Sequence, residues 1–224
     1  AMKRLFSDAL WVELVKPGFT LASVVRTRMG DRSYPMIFLE NHGIFVGSDS
    51  IEGIEGIYDH VMTTIEGALV RKPDFRAVAY DALAVDSITT ALEGAIGQKV
   101  LFETNVEVRS FVANAESFGP VASSFTPDHI VYAGFKPLWV GVGDDLMGSY
   151  HAFEKEHGSA AKIIAVEGLG VFSVGEKPLP LFLDTVAIAV YSESFGGPKF
   201  MTGEMIEFIR NWEVERYRAQ VTNA

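Results

Sequence analysis

Two stretches of the chain, at about residues 36–66 and 162–195, repeat the same order of residue types. Each begins with a short apolar run, passes through a glycine-containing turn into a second apolar run, and continues with apolar residues at helical spacing. The first copy has His42 at the strand–turn junction, where the second has Leu169. Each copy therefore predicts two tightly joined strands followed by a helix. We favour an internal duplication over chance recurrence of a pattern common in α/β proteins.

Helix signals follow both strand pairs. Ser48-Asp49-Ser50 supplies side chains suited to an N-cap, and the helix after it should end before Pro73. Its apolar residues recur at three- and four-residue spacing: Ile51, Ile54, Ile57, Tyr58, Val61, Met62 and Ile65. The second copy predicts a helix over about 181–194.

Further elements lie between and after the copies. The apolar pattern predicts helices at 81–96 and 203–219, and strands at 100–102, 106–108, 130–132 and 138–142. Strands interleaved with helices predict an α/β fold in which a mixed sheet is flanked by helices. A length of 224 residues, 48% of them hydrophobic, predicts one domain over 1–224 with halves at about 1–120 and 121–224.

Charge and composition exclude several functions. A net charge of −10 without a Lys/Arg block argues against nucleic acid or anionic membrane as partners, although a local basic pocket for a phosphate stays compatible. No apolar run reaches the ~18–20 residues that a membrane helix requires, and the first residues lack a secretion signal, so we expect a cytoplasmic protein. Because the chain has no cysteine, any metal must bind histidine and oxygen ligands.

The chain has five histidines, of which His42 is the best candidate for a ligand. A turn between two strands would hold its ring in a fixed orientation. The alternative is a hydrogen-bonded structural histidine. A structural role or a position on a solvent-exposed face is the better interpretation of the other four histidines: His60, His129, His151 and His157.

Motifs for several other chemistries are incomplete. Gly141-Val142-Gly143 and Gly168-Leu169-Gly170 each carry part of a dinucleotide loop, but neither completes the required glycine spacing. A Walker loop, a nucleophile elbow and a Ser-His-Asp order are missing, which leaves acid–base chemistry open and catalytic residues unassigned.

Several short motifs carry a family resemblance. The run 37–47 and its helix resemble the class II aldolase/adducin family, whose fold is α/β/α. Four further motifs resemble its long branch, typified by bifunctional rhamnulose-1-phosphate aldolase/dehydrogenases: Pro17-Gly18-Phe19-Thr20-Leu21-Ala22, Thr126-Pro127-Asp128-His129, Lys136-Pro137-Leu138 and Glu167-Gly168-Leu169-Gly170. The motifs occur in the family's order along nearly the whole chain.

The resemblance implies a metal-dependent lyase of carbohydrate metabolism. His42 would be one of three histidines that hold a divalent ion, usually zinc, during retro-aldol cleavage of a ketose 1-phosphate. The family's other two form an upstream His-x-His pair, and this chain has no histidine before His42. We therefore expect an aldolase domain without its N-terminal portion, either trimmed or lost, with Met2 a natural start or a cloning boundary. The dehydrogenase half is absent as well, so NAD binding is not expected.

Three functions stay open. The first is an aldolase-like domain, with weak or absent zinc binding and no retro-aldol cleavage by this chain alone. The second is a non-catalytic oligomerisation module of the adducin type. The third is a metal site rebuilt around His42 from Glu40, Asp128, His129 or Glu167. The resemblance also implies a homo-oligomer.

Overall fold

The strands form two mixed sheets rather than the single sheet that we predicted. The computed structural model describes residues 2–212, and these divide into two compact units, 2–71 with 191–199 and 72–190 with 200–212. Each unit contains one sheet with helices packed against it, so the predicted α/β class and mixed strand directions are confirmed. The predicted division near residue 120 falls inside the second unit.

The first unit is built around a three-stranded sheet. Its strands are β1 (Leu10–Val12), β2 (Met36–Leu39) and β3 (Gly43–Val46), with β2 in the centre, parallel to β1 and antiparallel to β3. Its helices are α1 (Met2–Leu5), α2 (Phe19–Met29) and α3 (Ile51–Ala68). All four residues of β2 are buried, because alternate side chains enter two apolar clusters, one with Val61 of α3 and the other with Leu21 of α2.

The second unit has a four-stranded sheet in the order β4–β7–β6–β5, in which β5 and β6 are parallel and the other pairs antiparallel. Its strands are β4 (Val100–Glu103), β5 (Leu138–Val140), β6 (Ile163–Val166) and β7 (Gly170–Val174). The helices that begin in this unit are α4 (Ala82–Ile96), α5 (Val106–Phe111), α6 (Ala115–Phe118), α7 (Leu146–His157), α8 (Pro178–Ser192) and α9 (Gly203–Asn211). The last part of the predicted helix at 203–219 lies outside the described residues.

Local sequence signals explain where the predicted helices begin. Ser50 caps α3 because its Oγ accepts a hydrogen bond from the Gly53 N–H at 3.0 Å. Asp81 caps α4 in the same way. The second-copy helix begins at Pro178, three residues before the predicted start, because proline is well suited to the first turn. None of the helices within residues 2–212 is long and apolar enough to cross a membrane.

Two predicted strands are wrong. Residues 106–108 begin helix α5, because the side chain of Asn105 accepts a hydrogen bond from the Val108 N–H at 2.9 Å and starts a helical turn. Residues 130–132 belong to a π-helix, His129–Ala133, whose start is held by a hydrogen bond from the His129 N–H to Thr126 Oγ1. In both places a capping side chain outweighs the strand preference of β-branched residues.

The strand–turn–helix copies adopt matching backbone conformations. Both form an antiparallel hairpin, and Gly43 and Gly170 start the second strand with φ values of 152° and 159°. In each copy, the residue that follows the first hairpin strand donates its N–H to the last carbonyl of the neighbouring parallel strand. The residue two positions later donates its N–H to the last carbonyl of the first hairpin strand itself. The four hydrogen bonds are Glu40 N–H to Val12 O and Glu167 N–H to Val140 O, both 2.9 Å, and His42 N–H to Leu39 O and Leu169 N–H to Val166 O, both 3.1 Å.

Candidate functional site

The hairpin turn of the first unit exposes the imidazole of His42. Asn41 occupies the left-handed region with φ of 56°, a conformation that asparagine tolerates better than most residues with a side chain. This turn brings the His42 N–H to the carbonyl of Leu39. The backbone of His42 is thereby fixed by the hairpin while its side chain is exposed to solvent.

Glu40 precedes His42 by two residues, and its carboxylate is bound by Leu14 and Lys199. Oε2 accepts a hydrogen bond from the Leu14 N–H at 2.9 Å, and Oε1 pairs with Lys199 Nζ. The hydrogen bond from Lys199, followed by that from Leu14, holds the pKa of Glu40 below its usual value. Asn41 Nδ2 donates to the Lys199 carbonyl at 2.7 Å, so the same lysine residue is bound by two consecutive turn residues.

The turn does not make a complete metal site. A catalytic zinc has three protein ligands, whereas residues 2–212 contain no group of three histidine or carboxylate side chains able to hold an ion. The residues described here therefore do not fit the zinc site that the resemblance implies. His42 could supply one ligand, but the residues within 2–212 do not complete a set of three with it.

Two residues considered for a rebuilt site have structural contacts within the second unit. Glu167 Oε2 accepts a hydrogen bond from the Val142 N–H at 3.1 Å, which repeats the role of Glu40 in the first unit. His129 is 4% exposed, and its Nδ1 accepts a hydrogen bond from the Phe125 N–H at 3.3 Å. Burial lowers the pKa of His129, opposed by Asp184 and by the adjacent Asp128. The ring of His129 is thus enclosed within the fold, with Nδ1 already bonded to the backbone.

The second copy has no histidine at the equivalent turn. Leu169 takes the place of His42 and packs against an apolar cluster that includes Phe172 and Ile164. The two turns thus share a backbone and differ in chemistry.

A basic cavity in the second unit was not predicted from the sequence. The cavity has a volume of about 610 Å³, and the side chains of Lys136, His157, Lys162 and Arg210 line it. His157 was expected on a solvated helix face, but its side chain is only 17% exposed because it packs against Phe153 and Phe135. The basic residues come from distant parts of the chain, and of these Lys136 alone belongs to one of the family motifs.

Comparison with known proteins gives a limited similarity to solved structures. No family model matches the chain, and no curated protein matches it. A crystal structure of an aldolase II superfamily protein from Pseudomonas syringae matches with 15% sequence identity and a TM-score of 0.42. The match covers 63% of this chain and 61% of that chain, so it spans less than two thirds of the solved protein.

Proposed function

We propose that this chain is a class II aldolase/adducin-like domain, related to the lyases that cleave ketose 1-phosphates, and that His42 is a ligand of its divalent metal. The observation that carries the proposal is the turn itself. It fixes the His42 backbone within a hairpin and leaves the ring accessible to an ion from solvent. The family motifs around this turn supply the link to aldolases.

The proposal also includes the ion, the substrate class and the assembly that the family resemblance implies. Zinc is the expected ion, the substrate class is a sugar phosphate, and the working form is a cytoplasmic homo-oligomer. A common origin of the two strand–turn–helix copies is proposed as well, supported by their matched hydrogen bonds. In the second copy Leu169 takes the position of His42, so only the first copy would contribute a histidine ligand to the metal.

The alternative function is a non-catalytic oligomerisation module of the adducin type. One observation favours it: β3 is an edge strand of its sheet, and Phe45 on this strand is 55% exposed. Native proteins usually protect such edges with charges, prolines or a cover, and β3 itself has no charge or proline. Within residues 2–212 no strand pairs with the outer side of β3, and an apolar edge of this kind suits a partner strand.

Zinc analysis of this chain tests the incomplete site. We expect less than stoichiometric zinc after dialysis and no cleavage of a ketose 1-phosphate when zinc is supplied, because one imidazole binds the ion weakly. His60→Ala is the matched control for His42→Ala, since both histidines are exposed. Stoichiometric zinc that is lost in His42→Ala and kept in His60→Ala would show that this chain already holds a full site.

A longer chain tests His42 as a ligand. If the reading frame upstream of Met2 encodes a His-x-His pair, the extended protein should hold zinc stoichiometrically and cleave a ketose 1-phosphate. His42→Ala should lower zinc affinity at least about tenfold, because two histidines would be left. Zinc that stays stoichiometric and equally tight in the extended His42→Ala variant would rule out this role.

A further inference from the structure

The basic cavity of the second unit has a charge opposite to that of the whole chain. Lys136, Lys162, Arg210 and His157 line it, and Glu207 is the one carboxylate residue among the described lining residues. The chain as a whole has a net charge of −10. A local concentration of positive charge in a concave surface attracts anions even when the whole molecule is acidic.

Three of these basic groups lie close to the ring of Phe135. Arg210 Cζ lies 4.1 Å from the ring centroid, and Lys136 Nζ lies 5.9 Å from it. The imidazole of His157 meets the same ring edge-on, with centroids 5.2 Å apart. Phe153 continues the aromatic wall, 5.5 Å from Lys136 Nζ. The positive charges are therefore held beside an apolar surface that could contact the carbon skeleton of a ligand.

Arg210 is held in a fixed position. Its Nη2 donates to the carbonyl of His157 at 2.5 Å and to Ser159 Oγ at 3.2 Å, while Nη1 pairs with Glu207 at 2.7 Å. Because the guanidinium is ordered by these contacts and by Phe135, binding an anion here would cost little side-chain entropy.

Lys162 provides a positive charge without a carboxylate partner among the described residues. Its Nζ donates to the carbonyls of Val131 and Tyr132 at 2.6 and 3.3 Å, both in the π-helix. Burial lowers the pKa of Lys162, which reflects the cost of keeping its ammonium group away from water. A bound anion would offset that cost. Lys162 also lines an adjoining cavity of about 1050 Å³, so it borders open space on two sides.

We propose that this cavity binds a small organic phosphate, with the phosphate near Lys136, Lys162 and Arg210 and the organic part against Phe135 and Phe153. A volume of about 610 Å³ suits a ligand of this size. Every residue of the site belongs to the second unit, and the proposal does not depend on His42.

Calorimetric titration with two probes, ribose 5-phosphate and inorganic phosphate, tests the site at low ionic strength. The sugar phosphate should bind more tightly than phosphate and should weaken as salt is added. Lys136→Gln should weaken binding about tenfold, the usual effect of losing one charge-assisted hydrogen bond. The matched control is Lys155→Gln, because Lys155 is exposed on α7 and does not line the cavity. It should bind like the wild type.

Three results would overturn the proposal. The first is no binding of ribose 5-phosphate by the wild type. The second is equal affinity for the two probes, because the aromatic wall would then contact nothing. The third is equal loss in Lys136→Gln and Lys155→Gln. Lys136 is the chosen position because its described contacts are with two aromatic rings, and circular dichroism would verify that the variant is folded.

Discussion

At the scale of single residues, Glu40 connects the turn of the first unit to its surroundings. Its carboxylate binds the Leu14 N–H and the Lys199 ammonium, while the following residue, Asn41, binds the Lys199 carbonyl. These contacts join three distant parts of one unit. The conformation of the turn that carries His42 therefore depends on a charge that can be titrated.

The stability contributed by Glu40 should be lost in acid. Because folding lowers the pKa of Glu40, its contribution is present above the unfolded value near 4.5 and disappears as the pH falls through the folded value. Glu40→Gln should lower the free energy of unfolding by roughly 1 kcal/mol at pH 7, since the ion pair is partly exposed. The difference from the wild type should begin to shrink as the pH falls below 4.5 and should approach zero below the folded pKa.

Urea unfolding at several pH values measures this effect. Glu55→Gln, which removes an exposed carboxylate from α3, is the control and should change stability little. A Glu40→Gln effect that stays constant from pH 7 to pH 3 would contradict the ionic explanation.

At the scale of elements, the two hairpins differ in what lies beside their second strand. In the second unit β4 pairs with β7, and the ring of Phe102 on β4 packs against that of Phe172 on β7. In the first unit β3 lies at the edge of the sheet. Equivalent glycines at the start of these strands therefore have different surroundings.

The paired glycines give a matched test of that difference. A Cβ on Gly170 would lie 2.6 Å from the Glu103 carbonyl oxygen, whereas a Cβ on Gly43 would meet no atom within 4 Å. Both positions have positive φ, so alanine is strained at each, by about 1 kcal/mol. Gly170→Ala should cost about 2 kcal/mol more than Gly43→Ala because β4 must also move. Equal losses in thermal unfolding would argue that β4 does not cover β7.

At the scale of the whole molecule, the edge position of β3 predicts self-association. Phe45 on β3 is 55% exposed, whereas Phe172, its equivalent on β7, is completely buried. A second copy can pair with β3 in antiparallel fashion through the same edge, which gives a two-fold interface. The net charge of −10 opposes association, so we expect a weak, salt-promoted dimer.

Sedimentation equilibrium can measure this association. Phe45→Lys should weaken the dimer about tenfold or more, because it replaces a central aromatic residue by a charge. Leu83→Lys is the control, since Leu83 is 82% exposed on α4. A protein that is monomeric at every concentration and salt level, or that responds equally to both substitutions, would contradict the use of this edge.

Local sequence signals predicted much of each unit and little of the packing between distant segments. The predicted cap at Ser48-Asp49-Ser50 marked a helix start correctly because a cap acts within four residues. The pairing of β4 with β7 joins segments about 70 residues apart, and no local pattern specifies it. The basic cavity was missed for the same reason, since Lys136, Lys162 and Arg210 meet only after the chain folds.

The sequence was enough to predict the two hairpin–helix copies, because turn glycines, apolar periodicity and caps act over a few residues. It also determined that one copy carries His42 where the other has Leu169. Folding of the whole chain was needed to show that β7 is paired on both sides while β3 is an edge, that Glu40 pairs with Lys199, and that four basic side chains line one cavity. Those features arise from contacts between remote residues, which depend on how the whole chain minimises its exposed apolar surface.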